Sequence, residues 1–145
     1  PMMTDSADPR PAMHRVKLDQ TPPGFELVLR MMPMPSDSNP NGDIFGGWLL
    51  SQMDLAGTMA ATRRAKGRTV TVAIPAMTFH RPVFIGDEGS CYAKIIKVGR
   101  TSITVKVESW VRRGIGDEQI EVTEGIFTYV AAGDDRKPCP VPPEG

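Results

Sequence analysis

Residues 44–66 read IFGGWLLSQMDLAGTMAATRRAK, and no proline interrupts them. Phe45, Trp48, Leu49, Met53, Ala56 and Ala60 recur mostly at spacings of three and four, which lays them along one side of a helix. Leu50, Leu55 and Met59 broaden that side, so this is a helix that other structure wraps. Arg63, Arg64 and Lys66 complement the dipole at its C-terminal end, and Gly67 ends it.

Downstream of Gly67 the apolar period changes to two and stays there, with β-branched residues throughout. Strands are predicted over 69–82, 88–98, 101–112 and 118–131. In the third, Ile103, Val105, Val107, Ser109 and Val111 alternate with Thr104, Lys106, Glu108, Trp110 and Arg112, giving one buried and one largely polar face. Gly86-Asp87 and Gly99-Arg100 are short enough for hairpins. Upstream, FELVLRM at 25–31 reads as a strand bounded by Pro23-Gly24 and Pro33, and MPSDSNPNGD at 34–43 as a loop. One strand, one long helix and four antiparallel strands predict an α+β hotdog fold, a curled sheet wrapped around a central helix. Such a sheet leaves an open edge, which predicts a homo-oligomer, a dimer at minimum.

The ends read differently. Residues 1–24 are rich in Pro, Asp and Ser and are expected to form a flexible arm; residues 133–145 (GDDRKPCPVPPEG) form a Pro-rich tail, leaving 25–132 as the domain. With 17 basic and 17 acidic residues the chain has no net field to draw nucleic acid or an anionic membrane. Cys91 and Cys139 fit no metal or redox spacing, no signal-like stretch opens the chain, and no apolar run is long enough to span a bilayer, so the expected setting is the cytoplasm.

Chemistry concentrates in NPNGDIFGGW, residues 39–48. Asp43 stands at the helix entrance and Gly46 and Gly47 in its first turn, where glycine costs roughly 1 kcal/mol relative to alanine and asks for a reason. Bare N–H groups there can hold a carbonyl oxygen as it becomes an oxyanion, while a carboxylate activates water or attacks directly. Spacing by itself favours a plainer reading, with Asp43 as N-cap and the glycines shaping a tight loop.

The string NPNGDIFGGWLLSQMD at 39–54 resembles the signature of bacterial acyl-CoA thioesterases with one hotdog per chain, related to the mammalian cytosolic enzymes that carry two. TVTV at 69–72, MTFHRPV at 77–83, Gly86-Asp87, KVGRTS at 97–102 and ESWV at 108–111 agree in order, and the likeness covers 25–132. It implies hydrolysis of acyl-CoA to a carboxylic acid and CoA, Asp43 as the catalytic carboxylate, Gly46 and Gly47 in the oxyanion region, and hotdog dimers often assembled three to a hexamer. His80 stands where that likeness leads one to expect an aliphatic residue such as Leu. No metal or cofactor is implied, CoA being part of substrate and product.

Arg81, Lys97, Arg100, Thr101 and Ser102 are candidates to meet the phosphates of CoA, each about as readily explained by strand ends and hairpin solvation. Asn41 is a candidate for positioning the carbonyl or water, although asparagine also suits a tight loop. Asp54 follows Asp43 by three helical turns, about 16 Å, too far to share a proton within one chain, and is expected to make a buried hydrogen bond near a dimer interface. Two rivals stay open: a hydratase or dehydratase of the same fold, for which His80 is the candidate base, and a non-catalytic acyl-CoA sensor.

Overall fold

The computed structural model describes residues 15–144. Its elements are β1 (Arg15–Lys17), β2 (Glu26–Met31), a 3-10 turn at Pro35–Asp37, α1 (Gly46–Ala65), β3 (Thr69–Phe79), β4 (Glu88–Val98), β5 (Ser102–Arg112) and β6 (Glu118–Ala131). All strand pairs are antiparallel. The 14-residue β6 is the spine: β5 runs along one of its edges, while β1 and β3 share the other, β1 at positions 118–120 and β3 at 123–131. Beyond β5 lie β4 and then β2.

The sheet curls around α1 because its inward positions are apolar and the helix is small-sided. Leu49, Met53, Ala56 and Ala60 pack with Cys91, Ala93, Ile103, Val105, Val107, Val122, Phe127 and Tyr129, all buried. Fully burying each large side chain here is worth about 1.5–3 kcal/mol. At Gly57 the approach is closest, since a Cβ there would run into the Tyr129 hydroxyl. This is the predicted α+β hotdog arrangement.

Four local expectations change. Residues 15–17 of the expected flexible arm form β1, and Val16, Pro22, Pro23 and Phe25 lie over the outer face of the sheet beside Trp110. Trp110 is 2 % exposed, and apolar surface of that size rewards the segment that covers it. Residues 1–14 lie outside the described residues. The Pro-rich tail is also engaged: Cys139 and Val141 pack against the core, the Val141 amide donates to the Arg100 carbonyl, and Arg64 Nη1 donates to the Pro142 carbonyl. Proline bars that segment from a central strand but not from packing on a sheet end. Gly86-Asp87 makes no hairpin, because β3 pairs with β6 and β4 with β5, whereas the Gly99 turn does join a pair. Lys66, not Gly67, takes the left-handed position that ends the helix, at φ 54°, a cost of roughly 1 kcal/mol.

Candidate active site

The loop into α1 is built on Asn39. Its Oδ1 accepts from the amides of Asn41 (2.9 Å) and Asp43 (3.1 Å), and its own carbonyl accepts from Gly42. Gly42 sits at φ +86°, so glycine is required there by the turn. Asp43 bridges in β fashion to Phe84, and the Ile44 amide donates to the Val83 carbonyl at 2.9 Å. The loop is thereby stitched to residues 82–87.

Those residues are held by a pair that sequence reasoning missed. Arg113 sends Nε and Nη2 to the two carboxylate oxygens of Asp87 at 3.1 and 2.9 Å, donates from Nη2 to the Pro82 carbonyl, and lies 4.7 Å from the Phe84 ring centre. Asp87 also accepts from the Phe84 amide at 2.9 Å. Asp87 is nearly sealed from solvent. The signal was thin, since Asp87 follows a turn glycine and Arg113 lies 26 residues away.

Asp43 does not cap the helix. The N-cap is Phe45, which offers no side-chain acceptor, and the Trp48 and Leu49 amides both turn to the Phe45 carbonyl. The amides of Gly46 and Gly47 precede the first intrahelical bond and find no backbone acceptor among the described residues, which leaves them for an outside one. A Cβ built on Gly47 would meet nothing within 4 Å, so the chain's own packing gives no reason for glycine there. A cleft of about 330 Å³ opens at this helix end, lined by Asn39, Asp43, Gly46, Phe79, His80 and Arg81 among others.

Of the expected residues, Asp43, Gly46 and Arg81 therefore meet at one cleft, and Gly47 follows Gly46 in the first helical turn. Asn41 is exposed at the loop tip, and Asn39 takes its place on the wall. Arg81 is only 5 % exposed. Lys97, Arg100, Thr101 and Ser102 sit at the far end of the same chain. Lys97 lies nine residues along β4 from Glu88, about 30 Å at strand rise, so one chain cannot bring these residues to Asp43.

Asp54 is the better-oriented carboxylate. Its Oδ1 accepts from Tyr129 Oη at 3.0 Å and from Thr71 Oγ1 at 2.8 Å, and Tyr129 also donates to the Asp54 carbonyl at 3.1 Å. Burial first, then the Asp54 charge and hydrogen bond, push the Tyr129 hydroxyl well above its ordinary value, so it stays a donor. Ser51, on the same helix, bonds back to the Trp48 carbonyl at 2.6 Å. Beside Asp54 runs β3, whose second edge has no strand partner among the described residues. Val70, Val72 and Ile74 on it and Leu55 and Met59 on α1 are 38–55 % exposed.

One curled antiparallel sheet around one helix, with a cleft and free amides at the helix start, defines a hotdog protein. Residues 41–115 match the thioesterase superfamily. Acyl-CoA thioester hydrolase YciA of Salmonella typhimurium is 50% identical over 131 residues, 88% of this chain and 98% of that one. Among solved structures, the hexameric thioesterase y2039 from Yersinia pestis superposes with a TM-score of 0.80 at 51% identity, over 84% of this chain and 99% of that one. The hexameric hotdog fold thioesterase Cj0915 of Campylobacter jejuni gives 0.76 at 47% identity, over 81% and 90%. The chain belongs to the thioesterase superfamily, in its acyl-CoA thioester hydrolase branch. Among the described residues, no helix is long and apolar enough to cross a membrane.

Proposed function

We infer that this thioesterase hydrolyses acyl-CoA to a carboxylic acid and CoA at the start of α1. The observation that carries the reading is the pair of amides at Gly46 and Gly47, without a backbone acceptor among the described residues, at the helix start whose cleft Asp43 lines. As water or a carboxylate oxygen adds to the thioester carbonyl, its oxygen gains charge and accepts hydrogen bonds from the two N–H groups; one such donor is typically worth about 2.7–4 kcal/mol in the transition state. The C–S bond then breaks and CoA leaves as a thiolate, which needs no strong general acid. Asp43 acts either as general base, taking the proton of the attacking water, or as nucleophile, forming a mixed anhydride that a water molecule then hydrolyses to the acid and the free carboxylate. The reaction so written draws on no cofactor.

The orientation of Asp54 supports a second reading of the carboxylate. Two copies joined antiparallel along β3 about its middle, near Ile74, would set Thr71 of one beside Met77 of the other. Asp54, bound to Thr71, then points toward the start of the second copy's helix, because Phe79 lies against Gly46. The separation of the two aspartates within a chain is no obstacle across such a pair. The same two-fold turns the 97–102 end of one copy toward the Asp43 end of the other, where Lys97, Arg100, Thr101 and Ser102 would meet CoA phosphates. The exposed apolar β3 edge supports the dimer, and the hexameric relatives support three dimers to an assembly. A cytoplasmic setting suits the two free cysteines.

The test is thiol release from acyl-CoAs running from acetyl to palmitoyl, with Asp43→Asn and Asp54→Asn beside the parent. Turnover lost only in Asp43→Asn supports the same-chain carboxylate, and turnover lost only in Asp54→Asn supports the one contributed across the dimer. No hydrolysis of any thioester would overturn the reading.

A further inference from the structure

On the face of the sheet turned away from α1, three potential metal ligands converge. His80 Nε2 lies 2.8 Å from Glu124 Oε2, and with a carboxylate oxygen of Glu121 the three donor atoms all fall within 4.8 Å of one another. A regular strand would not allow this, because residues three apart point to opposite faces. The register of β6 against β5 slips here: Ser109 pairs with Thr123 but Trp110 with Glu121, leaving Val122 as an extra residue. That bulge turns Glu121 and Glu124 to the same side. The Val122 carbonyl accepts from both the His80 and Arg81 amides, at 2.8 and 3.1 Å, so the bulge also fixes the chain that carries the imidazole.

We propose that His80, Glu121 and Glu124 form a binding site for a divalent transition-metal ion. One imidazole nitrogen with two carboxylates suits zinc, cobalt, nickel or manganese better than calcium or magnesium. Donor atoms within 4.8 Å of one another lie close to the separations that ligands sharing one ion adopt. Glu121 is 2 % exposed, so its charge is held in a low-dielectric setting where a divalent cation is a strong partner. A cavity of about 560 Å³, which Glu121 and Glu124 line, gives room for water ligands and a route in. Lys106 Nζ lies 3.7 Å from both Glu124 and Glu108. A metal on Glu124 leaves Lys106 with Glu108. Arg15 lines the same cavity and opposes a cation, which sets the affinity below that of an all-anionic cage.

The test is calorimetric titration of the full chain with zinc and, separately, absorption of the cobalt(II) adduct, using the parent, His80→Gln and Glu121→Gln. One ion per chain is expected, with a cobalt spectrum of nitrogen and oxygen ligation. Loss of an outer-shell partner already costs 10–100-fold in affinity, so each variant should weaken binding by at least about tenfold. Circular dichroism and oligomer size of the unliganded variants separate ligand loss from misfolding, and His80→Leu serves if Glu121→Gln misfolds. No zinc binding by the parent, or binding unchanged in folded His80→Gln, overturns the proposal.

Discussion

Tyr129 Oη donates to Asp54 Oδ1 at 3.0 Å and, from the same hydroxyl, reaches the Asp54 carbonyl at 3.1 Å, tying a β6 side chain to one turn of the central helix. Removing the hydroxyl in Tyr129→Phe leaves Thr71 as the other donor to that oxygen. A hydrogen bond to a charged group is worth about 1.5–3 kcal/mol. If Asp54 works across the dimer, Tyr129→Phe should lower kcat on the order of tenfold with KM little changed, whereas an Asp43-dependent enzyme should lose stability but keep its kcat. Steady-state kinetics on one acyl-CoA, with urea unfolding alongside, separates the two.

The carboxylate variants themselves carry the larger effect. Loss of a general base typically costs about 10²–10⁴-fold in rate, so whichever of Asp43→Asn and Asp54→Asn removes the working group should show a drop of that order. The other should stay within about tenfold.

Gly57→Ala should be destabilising even though alanine is the better helix former by about 1 kcal/mol. The added Cβ would collide with the Tyr129 hydroxyl and crowd its ring, and overpacking of this kind costs about 1–3 kcal/mol. The double variant Gly57→Ala/Tyr129→Phe should recover part of the loss. Thermal melts of the four proteins check this, and equal melting of parent and Gly57→Ala would count against the close approach.

Arg113→Ala should loosen the wall of the cleft. It leaves Asp87 nearly buried with its Phe84 amide contact but without its bidentate partner. Breaking such a pair costs about 3–5 kcal/mol. Hydrogen exchange should speed up at residues 82–87 and at the Ile44 amide, which donates to Val83, before the β4–β5 core responds.

Alkali should destabilise the fold. Burial pushes the Cys91 thiol from 9.0 up to about 12, and the Ser109 hydrogen bond only partly offsets it. The folded chain therefore keeps a proton that the unfolded chain releases. Stability is whole below pH 9 and falls as pH rises toward 12, by up to about 1.4 kcal/mol per pH unit for this group. Tyr129, also raised, adds the same sign from its ordinary value of 10.0 upward. Urea midpoints should decline between about pH 9 and pH 10 in the parent and decline less in Cys91→Ala.

Much of the fold was legible along the chain because it rests on local periodicity. The 3.6-residue pattern before Gly67 and the two-residue pattern after it determined one helix and four strands, and β4 and β6 fall within the predicted bounds. The NGDIFGG string likewise marked the helix start as the place for chemistry, since a carboxylate and two bare glycines there have few other uses.

Pairing and long-range contact were decided only by the tertiary structure. Whether Gly86-Asp87 joins neighbours in the sheet depends on which edge of β6 is free, and that is set by β5 and β1, far away in sequence. Arg81 and Lys97 look close in a list of cations, yet an extended strand at about 3.3 Å per residue carries them to opposite ends of the molecule. Glu121 and Glu124 meet His80 through one extra residue at Val122, a slip that alters no local pattern. Asp54 gained its orientation from Tyr129, 75 residues on. Periodicity fixes which face a side chain takes within its own element; only packing fixes what that face meets.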